Sequence, residues 1–189
     1  MTVPPLLLLT DRTQLPPGRA LFEVVRAARY AGLTHVLVRE HDLDPASRRR
    51  LVEELTALDG LTVLSSRVLV PGAAGVHLAE HQDAAGHGWF GRSCHDAQGV
   101  ARAAHEGAAY ATLSPFAATA SKPGYGPPVP EGEYVGDHGI PVLALGGVDP
   151  TNAAAARAAG AHGVAVMGCV MRADDPGAVV RGLLDGVGA

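Results

Sequence analysis

Two glycine turns, a few isolated cations and two well-placed histidines have the types and spacing to do chemistry in this chain of 189 residues. Leu145-Gly146-Gly147-Val148 precedes a helical stretch, and Val166-Met167-Gly168 ends the next apolar run. Glycine lets a backbone approach a ligand closely and turn its N–H groups toward it. A helix start adds partial positive charge at the same place. Gly146, Gly147, Met167 and Gly168 are therefore candidates for holding a phosphate. The segment Thr119-Ala120-Ser121-Lys122-Pro123-Gly124-Tyr125-Gly126 offers two hydroxyls, one ammonium and two flexible glycines. Thr119, Ser121 and Lys122 are candidates for a loop that closes over an anion and excludes water. Lys122 stands out because the basic residues are nearly all arginine.

Arg39 follows an apolar run and suits a planar, bidentate contact with phosphate or carboxylate. Its competing role is an ion pair with Glu40 or Asp11. His95 follows Gly91-Arg92-Ser93-Cys94. An imidazole titrates near neutral pH, so it can move a proton. Its competing role is a helix-start residue bonded to backbone. His41 and Glu80 are further candidates, with His41 and His95 as the proton carriers. His77 lies inside a strand and reads as a core histidine. The carboxylates Asp11, Glu40 and Glu80 lie apart with no grouped spacing, so no metal site is expected.

These residues need elements to bring them together. Short apolar runs alternate with helical stretches from end to end. Strands are expected at 6–10, 35–39, 62–65, 75–78, 89–93, 110–114, 141–145 and 163–167. Helices are expected at 21–31, 45–58, 96–107, 151–159 and 175–187, with Pro45 and Asp96 as start signals and Gly32 and Gly160 as stops. Eight near-continuous apolar strands with interleaved helices predict a parallel α/β fold, a single (β/α)₈ TIM barrel over 1–189. The connections after strands three and four are too short for full helices. A flavodoxin-like open sheet is the rival, but it usually has fewer strands. In the barrel every strand end points into one mouth, and there the candidate residues converge.

Hydrophobic residues at 47% suffice for a full core, and a net charge of −4 gives no general attraction to nucleic acid or anionic membrane. Cys94 and Cys169 lack metal-ligand spacing and read as free thiols. The four-leucine run near the start is too short for a signal peptide, and no apolar run is long enough to span a membrane. A cytoplasmic location is expected.

The chain resembles the thiamine phosphate synthase and thiazole tautomerase family over nearly its whole length, from LLLLTDR to VAVMGCVMR. The strongest matches are GRSCHDAQGVARAAHEGAAYATLSPFAATASKPGYGP and IPVLALGGVDPTNAAAARAAGAHGVAVMG; VREH is a weaker one. The resemblance implies a (β/α)₈ barrel in which Gly146, Gly147 and Gly168 hold the phosphate of a thiazole phosphate. It implies that Thr119, Ser121 and Lys122 match a loop contacting the pyrophosphate of the pyrimidine substrate in synthases. Arg39 matches the arginine of the family's Gln-x-Arg-x-Lys strand end, where the Gln is Leu37 here and the Lys is His41.

There are further departures. The synthases carry Asn-Asp after strand three, where this chain has Ser65-Ser66, and a magnesium-holding Asp after strand four, where it has Gln82 beside Asp83. The tautomerases carry a His after strand six, where this chain has Pro115. The expected function is a metal-free, tautomerase-type proton transfer on a thiazole phosphate, with His41 or His95 as base. The alternatives are the synthase reaction, which joins a pyrimidine pyrophosphate to the thiazole phosphate and releases pyrophosphate, and a non-catalytic barrel that binds the same phosphate. No tightly bound cofactor is expected, and magnesium enters only with the synthase reading. The expected partner is a small phosphorylated heterocycle, with a homodimer the one macromolecular assembly kept open.

Overall fold

The computed structural model describes residues 2–118 and 126–189. Strands β1 (Leu6–Leu9), β2 (His35–Val38), β3 (Thr62–Ser66), β4 (Gly75–Leu78), β5 (Phe90–Cys94), β6 (Tyr110–Leu113), β7 (Val142–Leu145) and β8 (Gly163–Val166) close into a barrel in chain order. Every neighbouring pair is parallel, and β8 closes on β1 with Leu7 opposite Ala165. Helices α1 (Leu21–Tyr30), α2 (Pro45–Thr56), α3 (Ala97–His105), α4 (Ala153–Ala158), α5 (Gly168–Met171) and α6 (Pro176–Val187) lie among them. No described helix is long and apolar enough to cross a membrane.

Pro45, Asp96, Gly32 and Gly160 act as expected, and Asp44 and Asp175 add caps of their own. Asp44 accepts from the Ala46 and Ser47 N–H groups at 3.0 Å, with Pro45 opening α2. Asp96 caps α3 through the Gly99 N–H, and Asp175 caps α6 through Ala178. Each satisfies N–H groups that a helix start otherwise leaves unpaired. Gly32 and Gly160 follow their helices at φ 109°. Among the described residues no α-helix fills the connections after β3 and β4, in line with their length.

The elements differ from expectation in small ways. The fifth strand begins at Phe90, and Trp89 instead packs its ring near Tyr110, with centroids 5.4 Å apart. The fourth helix is only six residues, with no side-chain cap at Asn152.

Inside the barrel, Leu7, Leu9, Leu37, Leu64, Leu143, Ala165 and Tyr110 form a cluster of their own. A second, larger layer lies between strands and helices and includes Val24, Val36, Val100, Val164 and Leu183. Tyr110 fits the lumen because Gly91 on the neighbouring strand has no Cβ: a methyl there would run into the tyrosine ring. This apolar plug is the floor on which the polar mouth rests.

Candidate active site

A buried polar chain is joined to the apolar plug at Tyr110. His77 is hydrogen-bonded through Nδ1 to the Tyr110 hydroxyl and through Nε2 to the Ser93 hydroxyl, each at 3.0 Å. Burial, with help from the Arg92 and Arg39 charges, pushes its pKa down to about 3, so it is neutral at pH 7. This is the satisfied core histidine read from its position in a strand.

On one side of the mouth the two glycine turns stand next to each other. β7 and β8 pair with Leu145 opposite Ala165, so Gly146-Gly147 and Met167-Gly168 leave adjacent strands. Gly146 and Gly147 have φ 90° and 69°, a region that favours glycine. Asn152 fixes the turn: its Nδ2 donates to Gly147 O at 2.8 Å, and its Oδ1 accepts from Asp149 N at 2.9 Å. A Cβ at Gly147 would sit 2.5 Å from the carbonyl oxygens of Ala117 and Ala118, so the turn abuts the start of the long connection after β6.

Two guanidinium groups flank Met167-Gly168. Arg39 crosses from the end of β2 and places Nη1 2.9 Å from Met167 Sδ. Arg172 lies over Gly168 and donates to the Gln14 side chain. Arg172 was not among the residues expected here. Its signal was spacing, because a side chain four residues along a helical turn leans back toward the turn's start.

Next to them, β2 and β3 end in a cationic corner. His41 Nε2 is 3.1 Å from Ser66 Oγ. The buried Arg48 donates to Val38 O at 3.1 Å and Ser66 O at 2.5 Å. Burial and the charges of Arg67, Arg39 and Arg48 push the His41 pKa down to about 4. Arg39 does not pair with Glu40. That carboxylate is taken by Arg12, at 3.1 Å through Nη1 and 3.2 Å through the backbone N–H. Burial works against ionisation of Asp11, but hydrogen bonds from Thr13 and Gln14 and the charge of Arg39 outweigh it and hold its pKa below the usual value.

His95 stands across the barrel at the end of β5. Its Nδ1 donates to Ser114 O at 2.9 Å, the backbone bond considered for it, while Nε2 lies 3.8 Å from Glu80. It lines an open groove of about 410 Å³ with Ser114, Pro115 and residues 126–130. His41 and His95 therefore share the mouth but not one position in it. Thr119, Ser121 and Lys122 lie outside the described residues.

The donor set does not fit the magnesium that the synthase resemblance implies. At the end of β3, Ser65 Oγ donates to Val68 O at 2.8 Å and accepts from Val70 N at 3.0 Å, and Ser66 Oγ is engaged with His41. After β4, Gln82 accepts from Ala79 N at 2.8 Å and donates to Arg67 O at 2.9 Å. Asp83 Oδ1 closes a local turn on Ala85 N. Among the described residues no three His, Cys, Asp or Glu side chains converge. Hard cations want several anionic oxygens at one point, and here the oxygens are neutral, engaged or dispersed.

Known proteins agree with the barrel. A putative thiamine-phosphate synthase of Geobacter sulfurreducens is 38% identical over 95% of this chain and 92% of its own length. A thiamine-phosphate synthase of Chloroflexus aurantiacus is 33% identical over 89% of this chain and 86% of its own. The structure of a thiamine phosphate pyrophosphorylase from Pyrococcus furiosus superimposes with a TM-score of 0.81, at 23% identity, covering 97% of this chain and 95% of that one, and so shares the fold. The family model described as thiamine monophosphate synthase matches residues 6–170, which takes in all eight strand ends. With relatives this similar over nearly their full length, the chain belongs to the thiamine monophosphate synthase family of enzymes.

Proposed function

We propose that this enzyme condenses a pyrimidine pyrophosphate with a thiazole phosphate to give thiamine phosphate and pyrophosphate. The observation that carries the reading is Arg39 bridging two anion-suited regions of one mouth, from the β2 end to Met167 on the β8 end. One region is the pair of glycine turns, the other the cationic corner at β2 and β3. A phosphate and a pyrophosphate carried on separate substrates need two such regions. The names of the relatives support the same choice.

This reading displaces the tautomerase as the first expectation. The position of the tautomerase histidine is Pro115, and a His41 with a pKa of about 4 is a weak base at pH 7. His95 keeps the tautomerase as the second reading, because its ring lines the groove beside Ser114.

In the condensation the thiazole nitrogen uses its lone pair to bond the pyrimidine methylene carbon. The bond from that carbon to the pyrophosphate oxygen breaks, and pyrophosphate leaves with the electron pair. The N–H groups at Gly146, Gly147 and Gly168, with Arg172 above them, hold the thiazole phosphate and fix its ring in line for attack. Arg39 orients the two anions relative to each other. Thr119, Ser121 and Lys122 act on the pyrophosphate, as the family resemblance implies. Magnesium supplies no step here, because the residues present do not fit it.

The test is to incubate the purified chain with both substrates and follow the products by mass spectrometry. Thiamine phosphate and pyrophosphate in equal amounts are expected. Proton exchange on the thiazole carboxylate phosphate without condensation would replace this reading with the tautomerase. Binding with neither reaction would leave a silent barrel.

A further inference from the structure

The family's counter-charge for pyrophosphate is missing from the strand-three and strand-four ends, yet the corner is not left uncharged. Arg67 follows β3 directly, where its predecessors are Ser65 and Ser66. Its φ is 66°, the only positive value at a described non-glycine residue. A residue with a Cβ is held there only when its surroundings over-determine it. Those surroundings are visible: its N–H donates to His77 O at 2.8 Å, and its carbonyl accepts from Gln82 Nε2 at 2.9 Å. Gln82, which stands at the position of the family's metal-binding Asp, thus anchors the backbone of an arginine instead.

The backbone so fixed directly follows Ser66, whose hydroxyl meets His41 at 3.1 Å; the arginine side chain is exposed, and its charge acts on His41 together with those of Arg39 and Arg48. Among the described residues no carboxylate lies in ion-pair distance of Arg39 or Arg67. The nearby carboxylate of Glu40 is neutralised by Arg12. Asp11 offsets part of the Arg39 charge from beyond ion-pair distance; like charges held close remain unfavourable, and an anionic ligand relieves them. Guanidinium groups match phosphate oxygens with paired N–H donors, so they can take over charge stabilisation that a metal gives elsewhere.

We propose that Arg67 and Arg39, beside the Ser66–His41 pair, grip the pyrophosphate of the substrate directly and make its binding and departure independent of divalent metal. The assignment rests on the condensation reading, since that reaction supplies a pyrophosphate group. Electron bookkeeping is unchanged: the leaving pyrophosphate keeps the pair from the broken C–O bond, and the arginines stabilise its charge without exchanging protons.

Titration calorimetry of the full chain with inorganic pyrophosphate, in excess EDTA and then in excess magnesium, tests it. Binding in EDTA is expected, no weaker than with magnesium. Arg67→Asn, chosen because asparagine tolerates the left-handed backbone, is expected to weaken it roughly ten-fold or more. Arg67→Lys is expected to fall between the two. Arg49→Ala, on the exposed face of α2, serves as the control with unchanged binding. Binding that appears only with magnesium, or an Arg67→Asn variant with native affinity, would overturn the proposal. If thiamine phosphate forms but pyrophosphate needs magnesium, the grip fails and the condensation stands. If pyrophosphate binds in EDTA through Arg67 but no thiamine phosphate forms, the condensation fails and the anion site stands.

Discussion

At pH 7 His41 is a neutral imidazole set among three guanidinium groups, and its titration reports whether that corner is as positive as the structure makes it. Its ring is expected to titrate near pH 4 by NMR, against an ordinary value of 6.5. The sign for stability follows. Between those values the unfolded chain takes up a proton that the folded chain refuses. Stability is therefore full above about pH 6.5 and is lost as pH falls toward 4. His77, pushed down to about 3, acts in the same direction. A His41→Gln variant should show a shallower loss of thermal stability over this range. A His41 midpoint near 6.5 would mean that the ring is better solvated and the arginines lie farther away than described. At this scale the sequence was partly legible. Residue type and strand-end position pointed to Arg39, His41, His95 and the glycines. Arg67 and Arg172 were not singled out, because an arginine in a polar loop looks the same whether it is solvated or aimed at a site. What marks them out is visible only in the fold: the Arg67 backbone pinned by His77 and Gln82, and the approach of Arg172 over Gly168.

Among the elements, β5 and β6 carry the tightest steric demand. Gly91 faces the ring of the fully buried Tyr110, so Gly91→Ala forces the tyrosine or the strand to move. Urea unfolding is expected to register a loss of about 1–3 kcal/mol, the usual range for overpacking a core. No loss would mean that the lumen is less filled than the structure indicates. Strand identity was readable because parallel strands buried on both faces appear as short apolar runs, and the helices because Pro45 and Asp96 mark starts and Gly32 and Gly160 mark stops. The turns at Arg12–Gln14 and Glu131–Tyr134 and the four-residue α5 were not readable, since elements this short show no periodicity.

For the molecule as a whole, parallel closure is what turns scattered residues into one site. Gly147, Arg39 and Arg67 are separated by long stretches of chain, yet all follow strands of one barrel and meet at its C-terminal end. The alternation of runs made that convergence readable before any coordinate. What it could not supply was the choice of chemistry, which turned on the engagement of single side chains: Ser66 with His41, Gln82 with Arg67, Glu40 with Arg12. The second open groove, of about 360 Å³ around residues 136–142, lies at the strand starts and has no part in the proposed reaction. A crystal structure of the chain with thiazole phosphate bound tests the arrangement most directly. The phosphate is expected against the Gly146-Gly147 and Gly168 turns with Arg172 beside it and the ring facing Arg39. A phosphate seated anywhere else, the strand-start groove included, would contradict it.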